Sequence, residues 1–234
     1  MNITIHRGAS QIGGCITEIS TDVARIIIDL GSNLPGCQQA DFTETEIARI
    51  VNGADAVLYT HYHGDHVGFI SMVPETVRQY IGVGAQDVMR CKFAALNRTG
   101  EHQKDVDAVE RMLNYEADKP LNFCDLRVTP YYCSHSAFDA YMFKIEWNGK
   151  VILHTGDFRK HGYMGNKLIP MHTSGHADIC SLTEVCRIVN PKLAVIPIHK
   201  EKDSDFSSLP ITEEQKSKVI TSNVTIEGIN ICIR

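Results

Sequence analysis

The sequence predicts a mixed α/β fold in which two β-sheets pack face to face with helices on the outside. Both halves of the chain place strand patterns first and helix patterns later, and several apolar runs end directly at histidine or aspartate. Glycines and other turn residues separate these runs, as is typical of strands. With 234 residues and 43% hydrophobic content, the chain is long enough to bury one sizeable core. We therefore expect a single domain over residues 1–234.

The first part of the chain is dominated by strand patterns. They cover residues 2–7, 15–20, 24–30 and 56–60. The continuous β-branched run 26–28 is typical of a strand buried on both faces. A helix is predicted over 43–51, because Thr43 and Glu46 have the spacing of a capping box.

The remaining elements follow the same two periodicities. Helical spacing covers residues 67–72, 84–97, 102–115 and 179–189, and strand patterns cover residues 78–81, 126–132, 140–147, 151–154, 193–198 and 224–233. Asn148 and Gly149 predict a tight hairpin turn between two of the strands. The segment 102–115 is amphipathic and is expected to be an ordinary surface helix. Its alternative roles are to cover the site or to form a contact in a homo-oligomer.

The composition narrows the class of protein. Lysine and arginine number 23 against 28 aspartates and glutamates, which gives a net charge of −5 and argues against a broad surface for long nucleic acid. The first residues alternate like a strand and lack the apolar core of a signal peptide. No apolar run approaches the length needed to span a membrane. The eight cysteines include no Cys-x-x-Cys pair, so we expect reduced thiols in a cytoplasmic protein.

The most informative segment is residues 61–66, with the sequence His-Tyr-His-Gly-Asp-His. It places three imidazoles and one carboxylate directly after the apolar run 56–59. A strand that ends in such a cluster delivers metal ligands to a loop at the sheet edge. A polar loop with solvated histidines is the alternative, and the crowding of potential ligands at one strand end disfavours it.

Three later segments have the same arrangement, an apolar strand that ends in a ligand-type residue. They end at His135, Asp157 and His199. The full set of candidate metal ligands is His61, His63, Asp65, His66, His135, Asp157 and His199. This set suits two divalent ions about 3.5–4 Å apart. The many imidazoles favour zinc, although manganese or iron also fits.

Two other groups of polar residues have open assignments. Asp29 follows the run 26–28 and either orients a metal-bound histidine or caps a turn. Four basic residues form either a rim of positive charge near the site or ordinary solvated charges, namely Arg159, Lys160, Lys167 and Lys200.

Residues 60–66 resemble the signature of the metallo-β-lactamase fold, Thr-His-Tyr-His-Gly-Asp-His. Residues 155–159 resemble the motif that carries the bridging aspartate in that family, and residues 196–199 resemble the motif that carries its last metal-binding histidine. The resemblance covers nearly the whole chain. It implies a four-layer αβ/βα sandwich with the metals at one sheet edge.

Within that family, residues 172–177 have the sequence His-Thr-Ser-Gly-His-Ala, which resembles the Ser-Gly-His-Ala segment of ribonuclease J and its β-CASP relatives. Residues 8–15 resemble their glycine-rich hairpin. The resemblance assigns one metal to His61, His63 and His135. It assigns the other to Asp65, His66 and His199, with Asp157 as the bridge.

The same resemblance also assigns roles beyond the metals. His176 is expected to contact the scissile phosphate and to assist proton transfer, with Ser174 beside it in substrate binding. Asp65 and His176 are the expected catalytic residues.

The chain departs from that family at one place. Ribonuclease J and its relatives insert a large β-CASP domain where this chain has only residues 158–171. The part that clamps nucleic acid over the metals is therefore missing. We expect a phosphodiesterase or nuclease acting on RNA or short nucleic acid. The alternatives are a hydrolase of small esters, lactones or thioesters, and a binding module without catalysis.

Overall fold

The computed structural model describes residues 1–9, 11–159, 193–196, 219–221 and 229–232. Its strands are β1 (Asn2–Arg7), β2 (Ile16–Ser20), β3 (Arg25–Ile28), β4 (Ala56–Leu58), β5 (Arg78–Gly82), β6 (Leu113–Tyr115), β7 (Leu121–Phe123), β8 (Leu126–Cys133), β9 (Ala140–Trp147), β10 (Lys150–His154), β11 (Leu193–Ile196), β12 (Val219–Thr221) and β13 (Ile229–Cys232). Its α-helices are α1 (Glu44–Val51), α2 (Gly64–Val67), α3 (Val83–Leu96) and α4 (Gln103–Glu110), with short 3-10 turns at Ile70–Met72 and Asn97–Thr99.

Within the described residues, the strands form two mixed sheets. The first has the order β13-β1-β2-β3-β4-β5-β6, and the second has the order β12-β11-β10-β9-β8-β7. Strands β3 to β6 run parallel, so their carboxyl ends meet at one edge of the first sheet. Strands β10 and β11 are also parallel. Polar residues that follow these strands are thereby brought to a common edge.

Two apolar clusters divide the core between the faces of the first sheet. Ile27 belongs to the cluster beneath α1, α3 and α4. Its neighbours Ile26 and Ile28 belong to the cluster between the two sheets, together with Phe143 of β9. All three isoleucines are fully buried, as predicted for a strand covered on both faces, because successive side chains of a strand point to opposite faces.

Local signals in the sequence predicted several elements correctly. Helix α1 begins after Thr43, whose side chain accepts the amide hydrogen of Glu46 while Glu46 bonds back to the amide of Thr43. The hairpin at Asn148 and Gly149 has positive φ angles of 46° and 70°, as a tight primed turn requires. Among the described helices, none combines the length and apolarity needed to cross a membrane.

The predicted helix over 102–115 is wrong in its last part. Helix α4 ends at Glu110, and Leu113–Tyr115 forms the strand β6, which pairs with β5. The segment 67–72 contains only the end of α2 and a 3-10 turn, and the short strands β7 and β12 were not predicted. The predicted helix over 179–189 lies outside the described residues.

Candidate metal centre

The loop that carries residues 61–66 is held by backbone hydrogen bonds to the chain that follows β3 and to the residue that precedes β2. The amide of Leu30 donates to the carbonyl of His66 at 2.8 Å, and the amide of Cys15 donates to the carbonyl of Asp65 at 3.0 Å. Between these bonds, a Cβ on Gly31 would lie 1.6 Å from the carbonyl oxygen of Asp65. Only glycine allows this close approach, which presses the loop against the sheet.

Three imidazoles converge at this edge. The Nδ1 of His63 lies 3.1 Å from the Nε2 of His61 and 3.2 Å from the Nε2 of His135. Two nitrogens at the usual 2.0–2.1 Å from a tetrahedral zinc are separated by about 3.3 Å. The three nitrogens therefore already have the spacing of ligands around one ion.

A second group lies beside the first. The Nε2 of His66 is 3.6 Å from the Oδ2 of Asp157 and 3.8 Å from the Oδ2 of Asp65. The same oxygen of Asp157 lies 4.0 Å from the Nε2 of His135. Asp157 therefore lies between His66 and His135, where a bridging carboxylate is expected.

Asp29 fixes the orientation of His66. Its Oδ2 lies 2.8 Å from the Nδ1 of His66, and its Oδ1 accepts the amide hydrogen of Thr60 at 2.8 Å. The hydroxyl of Thr60 also donates to Asp29 and lies 3.0 Å from the Nδ1 of His61. The contacts of Asp29 favour the orienting role over the turn cap, because it binds a histidine ring and the backbone at the end of β4, 31 residues away.

The fit of a metal can be judged from His66. Its Nδ1 is held by Asp29, while its buried Nε2 has no hydrogen-bond partner within the described part of the chain. A buried polar atom without a partner is costly. A metal ion between His66, Asp157 and His61, whose ligand atoms lie within 4.8 Å of one another, would satisfy it. The described side chains therefore fit a divalent ion.

Burial keeps several of these imidazoles neutral. It lowers the pKa of His61 well below its ordinary value, and the nearby histidines lower it further. Burial also lowers the pKa of His135 to about 4. The pKa of His63 is lowered in the same direction, again chiefly by burial. Neutral imidazoles offer their lone pairs to a metal near neutral pH.

His66 differs from the other histidines in its charge. Burial is the largest influence on it and opposes protonation, but Asp29, Cys15 and Asp157 together outweigh burial and raise its pKa well above the ordinary value. Without a metal, a proton offsets the negative charge of the neighbouring carboxylates. A metal that bound at His66 would therefore displace a proton.

Three cysteines lie near the site, and burial keeps two of them as thiols. Burial raises the pKa of Cys15 and of Cys133 to about 12, and the Sγ of Cys133 donates to the carbonyl of Asp157 at 3.7 Å. The Sγ of Cys37 lies 3.9 Å from the side-chain oxygen of Gln11. None of the three belongs to a cluster of metal ligands among the described residues.

The predicted ligands that the structure describes lie together. They are His61, His63, Asp65, His66, His135 and Asp157. Ser174, His176 and His199 lie outside the described residues, so their roles stay predictions. The sequence did not predict that Thr60 would support His61 and Asp29. A single threonine at the end of an apolar run carries no periodic signal of such a contact.

The comparisons with known proteins agree with this geometry. Residues 24–172 match the family model of the beta-lactamase superfamily domain, which is more than half of the chain. This chain belongs to the beta-lactamase superfamily. Its two sheets and outer helices are therefore the metallo-β-lactamase fold, and the predicted fold class is confirmed. Superfamily membership does not by itself single out the ribonuclease J branch.

The chain is also similar in fold to several solved structures. A protein of unknown function from Enterococcus faecalis V583 shares 18% identity and a TM-score of 0.62, over 88% of this chain and 52% of that one. The metallo-β-lactamase fold protein YhfI from Bacillus subtilis shares 15% identity and a TM-score of 0.44, over 67% of this chain and 61% of that one. The chain thus spans less than two thirds of the length of either protein.

A third structure is MEM-A1, a subclass B3 metallo-β-lactamase isolated from a soil metagenome library. It shares 17% identity and a TM-score of 0.45, over 78% of this chain and 72% of that one. At these identities the likeness concerns the fold alone. No curated protein matches the chain.

Proposed function

We propose that this superfamily member is a metal-dependent phosphodiesterase that acts on RNA or short nucleic acid at a dinuclear centre. The main support for a metal-dependent hydrolase is the convergence of four imidazoles and Asp157. The buried Nε2 of His66 has no hydrogen-bond partner among the described residues. The phosphodiester part is supported by the resemblance of residues 172–177 to the Ser-Gly-His-Ala segment of ribonuclease J.

The ligand set would serve two ions. His61, His63 and His135 would hold one, His66, Asp65 and His199 would hold the other, and both would share Asp157. When bound, divalent ions supply Lewis acidity and lower the pKa of a coordinated water. The abundance of imidazole favours zinc, with manganese or iron as the other fitting metals.

The side chains of the protein have separate tasks in the proposed reaction. Asp65, held by its backbone to Cys15, orients the attacking water and accepts its proton. His176 protonates the leaving oxygen, and Ser174 helps to bind the substrate. Asp29 keeps the ring of His66 in place through the 2.8 Å contact, as an outer partner of a metal ligand does.

The region after β10 favours an anionic substrate. The amide of Arg159 donates to the carbonyl of Ser134 at 2.6 Å, and the positive charge of Arg159 is one of the influences that lower the pKa of His135. Its Nε is buried and, among the described residues, has no hydrogen-bond partner. Guanidinium groups bind phosphate oxygens in a defined planar geometry.

The substitution Arg159→Ala tests this assignment. We expect turnover of bis-p-nitrophenyl phosphate to fall about 10- to 100-fold, while turnover of an uncharged ester or lactone is unchanged. Arg127→Ala, which removes an exposed arginine of β8, is the matched control and should leave both activities intact. An equal loss on charged and uncharged substrates would contradict a role in phosphate binding.

A hydrolase of small esters, lactones or thioesters is the second candidate. The net charge of −5 and the short interval 158–171 favour it, because neither suits a long polyanion. Parallel assays with bis-p-nitrophenyl phosphate, a lactone and a thioester separate the two functions. Turnover of carboxylic esters alone would replace the first proposal with the second.

A further inference from the structure

A pocket opens at the same sheet edge as the metal centre. It encloses a cavity of about 350 Å³, within the size range of small-molecule sites. Its walls come from the start of α3, the end of β6 and the segment that joins β8 to β9. Because β4, β5 and β6 are parallel, the pocket and residues 61–66 lie at the same end of the sheet.

Hydrogen bonds connect the pocket to the metal loop. The amide of Phe138 donates to the hydroxyl oxygen of Tyr62 at 3.1 Å, and the amide of Tyr141 donates to the carbonyl of Thr60 at 2.9 Å. Phe138 also follows His135 by three residues, which an extended chain spans in at most about 11 Å. A ligand in this pocket is therefore adjacent to the metal centre.

The walls of the pocket are aromatic and rigid. The rings of Tyr132 and Tyr141 lie 4.5 Å apart, and those of Tyr115 and Tyr141 meet edge to face at 4.8 Å. Tyr115 and Tyr141 are each only 2% exposed. Phe138 is 67% exposed, although its ring rests so closely on Gly84 that a Cβ there would come within 2.6 Å of it.

The charged groups of the pocket already have partners. Asp139 accepts the hydroxyl of Tyr141 at 2.8 Å and the amide of Ala85 at 3.0 Å. Glu116 forms an ion pair of 2.6 Å with Lys119. The aromatic faces open to a ligand are those of Phe138 and Tyr132, because Tyr115 and Tyr141 are buried. Among the described residues, no basic side chain lines the pocket, so it suits the uncharged base of a nucleotide and not its phosphate, with a cation as the alternative ligand.

We propose that this pocket binds a nucleobase of the substrate by stacking and thereby places the neighbouring phosphodiester at the metal centre. The link to the substrate rests on the proposed phosphodiesterase function, since a nucleobase is the flat, uncharged ring that a phosphodiester of nucleic acid carries. Aromatic side chains that stack bases commonly tolerate different bases. Phe138 is the stacking residue, and Tyr132 also lines the pocket.

Binding of adenosine, which has no phosphodiester to cleave, tests the pocket separately from catalysis. In a ligand-observed NMR titration of the purified protein, Phe138→Ala should raise the dissociation constant about tenfold, and Phe138→Trp should restore binding. Leu96→Ala is the matched control, because it removes a 48% exposed side chain at the far end of α3, about 20 Å from Val83 at the pocket. Ribose 5-phosphate, which lacks a base, should bind Phe138→Ala and the unmodified protein equally well.

Three results would overturn the inference: no binding of adenosine, equal binding by Phe138→Ala, or preferential binding of tetramethylammonium, which would indicate a cation site. Failure of this inference and failure of the proposed function are distinguishable. Phosphodiester cleavage without adenosine binding would refute only the nucleobase-binding role of the pocket. Adenosine binding that depends on Phe138, in a protein that cleaves no phosphodiester, would refute the phosphodiesterase function and leave the nucleobase-binding role standing.

Discussion

Asp29 joins the end of β3 to the loop of the metal centre. It is fully buried, has a positive φ of 61°, and contacts both Thr60 and His66. A non-glycine residue in this left-handed conformation is uncommon, and aspartate and asparagine tolerate it best. Position 29 therefore needs a residue that tolerates a positive φ and that also offers a carboxylate to His66.

The first prediction concerns Asp29→Asn. Asparagine accepts the backbone conformation and can still receive the amide of Thr60, but it offers no carboxylate to the Nδ1 of His66. We expect zinc affinity to fall about 10- to 100-fold, as for other outer partners of metal ligands. Competition with a chelating dye measures this affinity.

The control for Asp29→Asn is Asp118→Asn, because Asp118 has the same φ of 61° and is exposed. It should bind zinc like the unmodified protein. Unchanged affinity in Asp29→Asn would mean that the 2.8 Å contact does not orient His66.

The sequence indicated which residues belong to the site better than it indicated how they are held. His61, His63, His66, His135 and Asp157 each end or follow an apolar strand, and that local pattern was sufficient to select them. The support from Thr60 could not be predicted, since it depends on the register of β3 against β4. The aromatic pocket was missed for a similar reason. Tyr115 and Tyr141 are distant in sequence and meet only after the two sheets pack.

Among the strands, the carboxylate of Glu18 connects three strands of the first sheet through two ionic contacts. Glu18 of β2 lies 2.9 Å from the Nε2 of His6 in β1 and 2.8 Å from a guanidinium nitrogen of Arg25 in β3. Burial opposes charge on Glu18 and is the largest influence, but the hydrogen bonds and charges of His6 and Arg25 outweigh it. The pKa of Glu18 is thereby lowered from 4.5 to about 2.

The second prediction follows from this lowered pKa. In the folded protein Glu18 stays ionised at a pH where the unfolded chain binds a proton, so its contribution to stability is present above pH 4.5 and is lost as pH falls toward 2. We expect Glu18→Gln to reduce the free energy of unfolding by about 1.5–3 kcal/mol at pH 7. At pH 2–3 the difference from the unmodified protein should largely disappear. Urea unfolding at the two pH values measures both quantities.

Glu101→Gln, at an exposed position, is the control for this comparison and should be neutral at either pH. If Glu18→Gln lost the same stability at both pH values, the effect would be one of packing and not of ionisation.

The end of α4 shows why local pattern fails at some elements. Apolar residues continue the helical spacing through Met112 and Leu113, so the sequence extends the helix. In the structure Leu113–Tyr115 pairs with β5, and Tyr115 is buried between the sheets. A segment of three residues has little intrinsic preference for strand over helix, and its pairing with β5 decides its conformation.

At the scale of the whole molecule, metal binding and stability are linked. The ligands come from segments after β4, β8 and β10, so the unfolded chain has no preformed site. Zinc at 100 times its dissociation constant should stabilise the fold by about 2.7 kcal/mol. For a chain of this size that corresponds to roughly 5–10 °C in Tm.

Thermal unfolding with zinc and with a chelator measures this third prediction. Asp157→Ala should abolish the zinc-dependent shift and keep a folded protein, because the side chain is 26% exposed and the substitution retains the backbone carbonyl that accepts from Cys133. A zinc-dependent shift of the same size in Asp157→Ala would show that the stabilising ion lies elsewhere.

Cleavage of a labelled RNA oligonucleotide is the decisive test of the proposal that the cluster at the sheet edge is a metal centre that cleaves phosphodiesters. Zinc- or manganese-loaded protein should cleave the oligonucleotide, lose this activity in a chelator, and recover it when the metal is restored. Cleavage that persists after the metal has been removed, or no cleavage by protein whose metal content shows filled sites, would contradict the proposal.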